Sequence, residues 1–235
     1  MKKILLGLSA LLATSLMICA EEAQGDVSIG LKAGTLGIGV EANKAYGEKL
    51  SFRLGYNFLE QSEDVEDGDT TYTGDLELSN GGLYVDWHPW AGGFRLTGGV
   101  MMNNNEVTLK AKPTAVQTVE IGSTTYDISS GQLNGKVDFD TFAPYLGMGW
   151  GKAVGASSRW AFLFDLGVMF QGSPNVDLNT SGTILVGVGG TDVSTVPGLQ
   201  ATLQNEIQRE KSQIKADLED FEIYPVVSLG LTYRF

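Results

Sequence analysis

One cysteine, one histidine and six prolines are all that this 235-residue chain holds of three residue types that commonly build disulfide frameworks, catalytic centres and rigid turns. The cysteine, Cys19, lies in an apolar run near the amino end, and the chain beyond it has none. Cross-links therefore cannot stabilise the remaining residues, even in an oxidising compartment. Basic residues are scarce too. There are 16 Lys and Arg against 28 Asp and Glu, a formal net charge of −12, which argues against nucleic acid as a partner. Past Ala20 no apolar run approaches the roughly 20 residues that a membrane-spanning helix needs. What the chain does have is glycine, 31 residues, and aromatic side chains, 10 Phe, 8 Tyr and 4 Trp. That composition suits a single all-β domain.

The amino end has the form of a secretory leader. Lys2 and Lys3 precede the apolar run from Ile4 to Ile18, and Ala20 is a small residue placed for cleavage before Glu21. Residues 1–20 are expected to be removed on export, leaving 21–235 as the folded domain. A lipoprotein signal that acylates Cys19 would want a small residue where Ile18 stands.

At the other end, segment 221–235 alternates strictly. Phe221, Ile223, Pro225, Val227, Leu229, Leu231, Tyr233 and Phe235 share one phase; Glu222, Tyr224, Val226, Ser228, Gly230, Thr232 and Arg234 share the other. Period two means a strand with one apolar face and one small or polar face. Similar rows recur upstream: Leu50 to Phe58, Leu83 to Trp87, Phe94 to Met102, Phe142 to Trp150, and Trp160, Phe162, Phe164, Leu166, Val168 and Phe170. Few soluble sheets expose such rows to water. Around Gly34 and Thr35 the apolar phase flips from odd to even positions. A two-residue hairpin pairing Ala33 with Leu36 and Leu31 with Ile38 explains the flip, and so does a bulge in one long strand.

Short turns follow Ala42, Trp87 and Trp150, whereas long polar segments follow Phe58, Met102 and Phe170. Short periplasmic turns alternating with long extracellular loops are the habit of outer-membrane barrels. With the Gly34 hairpin the count is eight, so the expected fold is an all-β, eight-stranded antiparallel transmembrane β-barrel; with a bulge it is seven. One long loop holds Glu60, Glu63, Asp64, Glu66, Asp67 and Asp69, an acidic extracellular loop that is either simply solvated or concentrates cations near the mouth. A second carries a hairpin around Ile121, Gly122 and Ser123. The last contains an amphipathic helix over 199–220, with Pro197 in its first turn. It is expected to pack on the barrel rim; a lid, a partner-binding helix and an interfacial helix are the alternatives.

Alternation turns Lys32, Glu41, Arg53, Asp86, Arg95, Asp165, Glu222 and Arg234 inward. Eight strands leave an interior just wide enough for side chains, so those charges must pair or stay hydrated. Either they form an ion-pair network that fills the lumen or they line a narrow polar path for a zwitterionic or cationic solute. No cofactor or metal is expected. Hydrolytic or acyl-transfer chemistry on lipid needs a histidine near the outer leaflet, and His88 falls in the short Trp87-His88-Pro89 turn on the opposite side. The chain is therefore not expected to be an enzyme.

The run Ala143-Pro144-Tyr145-Leu146-Gly147-Met148-Gly149, the stretch Gly172-Ser173-Pro174-Asn175-Val176-Asp177-Leu178, and Asn205-Glu206-Ile207 followed by Tyr224-Pro225-Val226 resemble small barrels of the CarO type. The segments Gly81 to Pro89 and Asp165 to Pro174 also resemble a related, widespread group of proteobacterial outer-membrane proteins. The CarO-type resemblance implies a bacterial outer-membrane protein for uptake of ornithine or small amino acids, in contact with outer-membrane lipid and lipopolysaccharide. It also implies that the last strand, with Leu231, Tyr233 and Phe235, is the signal read by the barrel-insertion machinery. A narrow channel for small polar solutes is the function expected first, a non-conducting structural or surface-interaction barrel the alternative, and a lipid-modifying enzyme the third.

Overall fold

The computed structural model describes residues 26–67, 70–111, 118–154 and 158–235. The expected leader, with Cys19, lies outside them. Among the described residues thirteen strands are formed: β1 (Val27–Gly34), β2 (Gly37–Tyr46), β3 (Leu50–Asp67), β4 (Thr70–Trp87), β5 (Phe94–Asn103), β6 (Glu106–Ala111), β7 (Thr118–Ile121), β8 (Thr124–Asp138), β9 (Phe142–Trp150), β10 (Trp160–Phe170), β11 (Asn175–Val186), β12 (Thr191–Asp192) and β13 (Ile223–Arg234). An α-helix, α1, spans Pro197–Asp217.

Eight of the strands close on themselves in the order β1, β2, β3, β4, β5, β9, β10, β13, each antiparallel to its neighbours. Closure is made by β1 against β13, from Ser28↔Arg234 to Gly34↔Ser228. The alternation decides the two faces. Phe52, Leu54, Tyr56 and Phe58 of β3 stand outside, whereas Ser51, Arg53 and Asn57 between them are buried in the lumen. An outer wall that includes Leu31, Leu83, Phe162 and Leu229, all more than half exposed, matches lipid rather than water. All four tryptophans lie at the end of the barrel with the short turns: Trp87, Trp90, Trp150 and Trp160. The rings of Trp90 and Trp150 join Phe94 and Phe164, and that of Trp160 joins Tyr233 and Phe235, in contacts of 4.9–5.9 Å, an aromatic belt of the kind found at a membrane interface.

The Gly34 region is a hairpin, so the count of eight holds, but its register differs from expectation. Thr35 and Leu36 form the turn, and Ala33 faces Ile38 while Leu31 faces Val40. Of the residues there only Gly37 has a positive φ, 91°, which excludes a II′ turn begun by Gly34. Leu36 consequently leaves the lipid face and enters the lumen.

As far as Asp67 the acidic stretch is not a loop. β3 and β4 continue as a ladder from Glu60↔Glu77 to Asp67↔Thr70. Charge is compatible with a strand that has left the lipid. Ser62 donates to Asp75 at 2.6 Å and Thr73 to Asp64 at 3.0 Å across the pair, and Lys110 of β6 reaches Asp75 at 3.1 Å. The raised part of β4 then recruits β6, β8, β11 and β12, with β7 paired to β8, into a sheet above the loop end. The hairpin around Gly122 is the β7–β8 connection, with Ile121 opposite Thr124.

Helix α1 packs on this sheet, against β7 and β11, rather than on the barrel rim. Leu203 and Ile207, one turn apart, join Ile121, Tyr126, Ile128, Ile184 and Val193 in an apolar cluster. The helix ends at Asp217, short of the expected residue 220, and a 3-10 turn over Glu219–Glu222 redirects the chain into β13.

Candidate functional site in the barrel lumen

Six of the eight predicted inward charges come together. Arg53 donates from Nη1 to Asp165 Oδ2 at 3.1 Å and from Nη2 to Asp86 Oδ1 at 3.0 Å, with Glu41 Oε2 at 3.7 Å. Arg95 donates from Nη2 to Asp165 Oδ1 and from Nη1 to the carbonyl of Gly151, both at 2.7 Å. Lys32 lies 3.8 Å from Glu41. Three cations thus meet three carboxylates, so the lumen is neutral as a whole. Glu41, Arg53, Asp86, Arg95 and Asp165 are each at most 5% exposed. Buried ions at this density persist only when paired and hydrogen-bonded, and Asp165, gripped through both oxygens by two arginines, meets that condition.

Of the other two, Arg234 keeps the inward phase of buried Thr232 at the turn end, and Glu222 leaves the strand. Arg234 is half-buried at the turn end, opposite Ser28. Glu222 sits in the 3-10 turn at the loop end, where its carboxylate accepts from Ser173 at 2.8 Å. The alternation that turned Glu222 inward breaks there because the strand starts only at Ile223. Glu60, Glu63 and Asp64 are exposed on the raised hairpin; Glu66 and Asp67 belong to β3, and Asp69 lies outside the described residues. Leu231 and Phe235 are exposed at the turn end, and the Tyr233 ring lies between Trp160 and Phe235. Among the described residues no group of His, Cys, Asp and Glu is arranged to hold a metal ion. His88 is buried in its turn, with Nδ1 3.0 Å from the carbonyl of Gly92, and burial lowers its pKa.

Several lumen residues carry no charge and were therefore not singled out from the sequence. Thr97 donates to Asp86 at 2.6 Å and Asn43 to Glu41 at 3.1 Å. Tyr84 lies beneath the Arg53 guanidinium, 4.9 Å from its ring centre, and meets Tyr145 edge-on at 5.2 Å. Inward glycines make room for both tyrosines. A Cβ at Gly82 would come within 2.2 Å of the Tyr84 hydroxyl, and one at Gly167 within 2.3 Å of the Tyr145 hydroxyl. An inward glycine near an inward tyrosine is the signal that could have found them.

On the loop side of the charges lies an apolar layer of Leu36, Met101, Ala143, Met169 and Val226 around the two tyrosines. A cavity of about 20 Å³ remains between the layers, bordered by Lys32, Leu36, Arg53, Asn57 and Asp165. That is room for about one water.

An eight-stranded closed barrel with a polar lumen and an apolar belt defines the class: a β-barrel of the outer-membrane type. Within it, the fold is that of the CarO barrels. The crystal structure of Acinetobacter baumannii CarO2 matches with a TM-score of 0.56 at 19% identity, over 91% of this chain and 100% of that one. Acinetobacter baumannii CarO matches with a TM-score of 0.55 at 22% identity, over 89% and 98%. No protein-family model matches the chain, and no curated protein matches it in sequence.

Proposed function

We propose that this protein is an outer-membrane barrel with a closed lumen, which anchors a folded sheet-and-helix module at the cell surface, and that the module is its working part. The observation that carries this reading is the filling of the lumen: six cross-linked charges, an apolar layer above them and, between the two, a cavity of only about 20 Å³. Export through a leader over 1–20, contact with lipopolysaccharide, and recognition of Leu231, Tyr233 and Phe235 by the insertion machinery belong to the same proposal. In planar bilayers, and in liposomes loaded with amino acids, the folded protein is expected to give no conductance steps and no solute flux above the lipid background. Flux of small amino acids would overturn it in favour of the solute path that the CarO-type resemblance implies.

That second reading has one observation on its side. The contacts of Glu41 with Lys32 and Arg53, at 3.8 and 3.7 Å, are longer than hydrogen bonds, so this side of the network is the one that could rearrange at least cost. Truncating Glu41 should then raise conductance, whereas a permanently closed barrel stays silent.

A further inference from the structure

We propose that the Thr35–Leu36 turn is a releasable plug that covers the lumen cavity and narrows access to it from the loop side. Pairing of β1 with β13 stops at Gly34↔Ser228, although β13 begins five residues earlier, at Ile223. Over that upper seam one residue stands in for a strand. Thr35 N donates to Val227 O at 3.0 Å, Thr35 Oγ1 donates to Pro225 O at 3.0 Å and accepts from Val227 N at 3.2 Å, and the Tyr224 hydroxyl donates to Thr35 O at 2.7 Å. Pro225 has no N–H to offer a neighbouring strand. Two of these four bonds use the Thr35 hydroxyl, which a single side-chain rotation withdraws, and the other two hold the Thr35 backbone.

Leu36 is what the latch holds in place. It is 5% exposed and packs with Tyr84, Met101, Tyr145, Met169 and Val226. With Gly34 and Gly37 it borders the cavity that Lys32, Arg53 and Asn57 line from the other side. Gly37, at φ 91°, occupies backbone space open to glycine but rarely to other residues, so the turn has a pivot. Below the plug, Asn57 Nδ2 and Arg53 Nε are buried without a hydrogen-bond partner. Water entering from the loop side would satisfy them, which offsets the cost of exposing Leu36. Release of the turn widens this narrow cavity into a dead-end vestibule whose floor is the Arg53–Asp86–Asp165 network. The plug controls access to that floor whether the network below it stays closed or opens, so this inference does not depend on whether solute crosses the membrane.

Ser228 lines the cavity and is a near-isosteric place for a thiol. In the full-length gene carrying Cys19→Ser and Ser228→Cys, folded protein is treated with 2-aminoethyl methanethiosulfonate and the modification rate is measured. The rate should be slow with the plug intact and rise about tenfold or more with Thr35→Val or Leu36→Ala, following the population of the open form. A cysteine at exposed Ser212 should react equally in all backgrounds. Tyr224→Phe removes one hydrogen bond, should give a smaller rise, and decides the matter if the other two variants do not fold. A Ser228→Cys thiol that reacts as fast in the parent as in the variants, or that stays unreactive in every folded variant, overturns the proposal.

Discussion

In the barrel, charge is inside: Arg53 and Asp165 are 4% and 5% exposed while Phe162 on the outer wall is 80% exposed. In the module the order reverses. Tyr126 and Ile128 are at most 1% exposed, and the ion pairs Lys110–Asp75 and Lys136–Glu106 lie outside. Strands β3 and β4 run through both regions, so one continuous hairpin changes its inside-out order as it leaves the lipid. Alternation creates two faces, and the solvent decides which of them is buried. The two cores should therefore answer differently to substitution.

The largest effect is expected in the lumen. Arg53→Ala leaves Asp86, Asp165 and Glu41 short of a cation and should destabilise the barrel by about 3–5 kcal/mol, seen as a lower temperature for loss of the folded band in detergent. An unchanged temperature would mean that water already reaches these carboxylates. Next, Leu203→Ala or Ile207→Ala should cost the module about 2–5 kcal/mol, with protease cutting α1 while the barrel band keeps its mobility. Equal loss in both regions would show that the two cores unfold as one.

A smaller effect tests a buried carboxylate beside the apolar cluster. Glu206, on α1, accepts from Thr124 at 2.7 Å and from the Tyr126 hydroxyl. Burial first, and Glu206 second, push the Tyr126 pKa up to about 12 from 10.0. Because the folded value is the higher one, this contribution is complete below the unfolded value and is lost as pH rises from 10 toward 12. Glu206→Gln should weaken helix docking by about 1 kcal/mol and bring Tyr126 ionisation, followed by ultraviolet absorbance, to lower pH. Smallest of all, Lys136→Met should cost under about 1 kcal/mol and respond to salt. Lys136 holds the Glu106 carboxyl below its ordinary 4.5, so that contribution is present above this value and fades on acidification, and a pH series of module proteolysis in wild type and variant reads the difference.

The barrel was legible because lipid imposes an uninterrupted alternation: Leu50 to Phe58 and Trp160 to Phe170 name their strands unaided. Six lumen charges came from the same parity. Glu222 escaped because parity says nothing about where a strand begins. Leu36 escaped because it is apolar in either phase, and only the register of the turn shows that it faces inward. The raised sheet was hidden for another reason: outside the lipid nothing imposes an uninterrupted apolar alternation, so Glu60 to Asp67 resembled a solvated loop until Thr70 to Glu77 supplied a partner.

The tryptophan belt has a practical consequence. Trp87, Trp90, Trp150 and Trp160 all sit at the turn end, and the module has tyrosines but no tryptophan. Intrinsic tryptophan emission therefore reports on one membrane interface alone. Lipids brominated near their headgroups on that side should quench it, and the module can melt without changing the signal, so a fluorescence-only unfolding curve would describe half of this molecule.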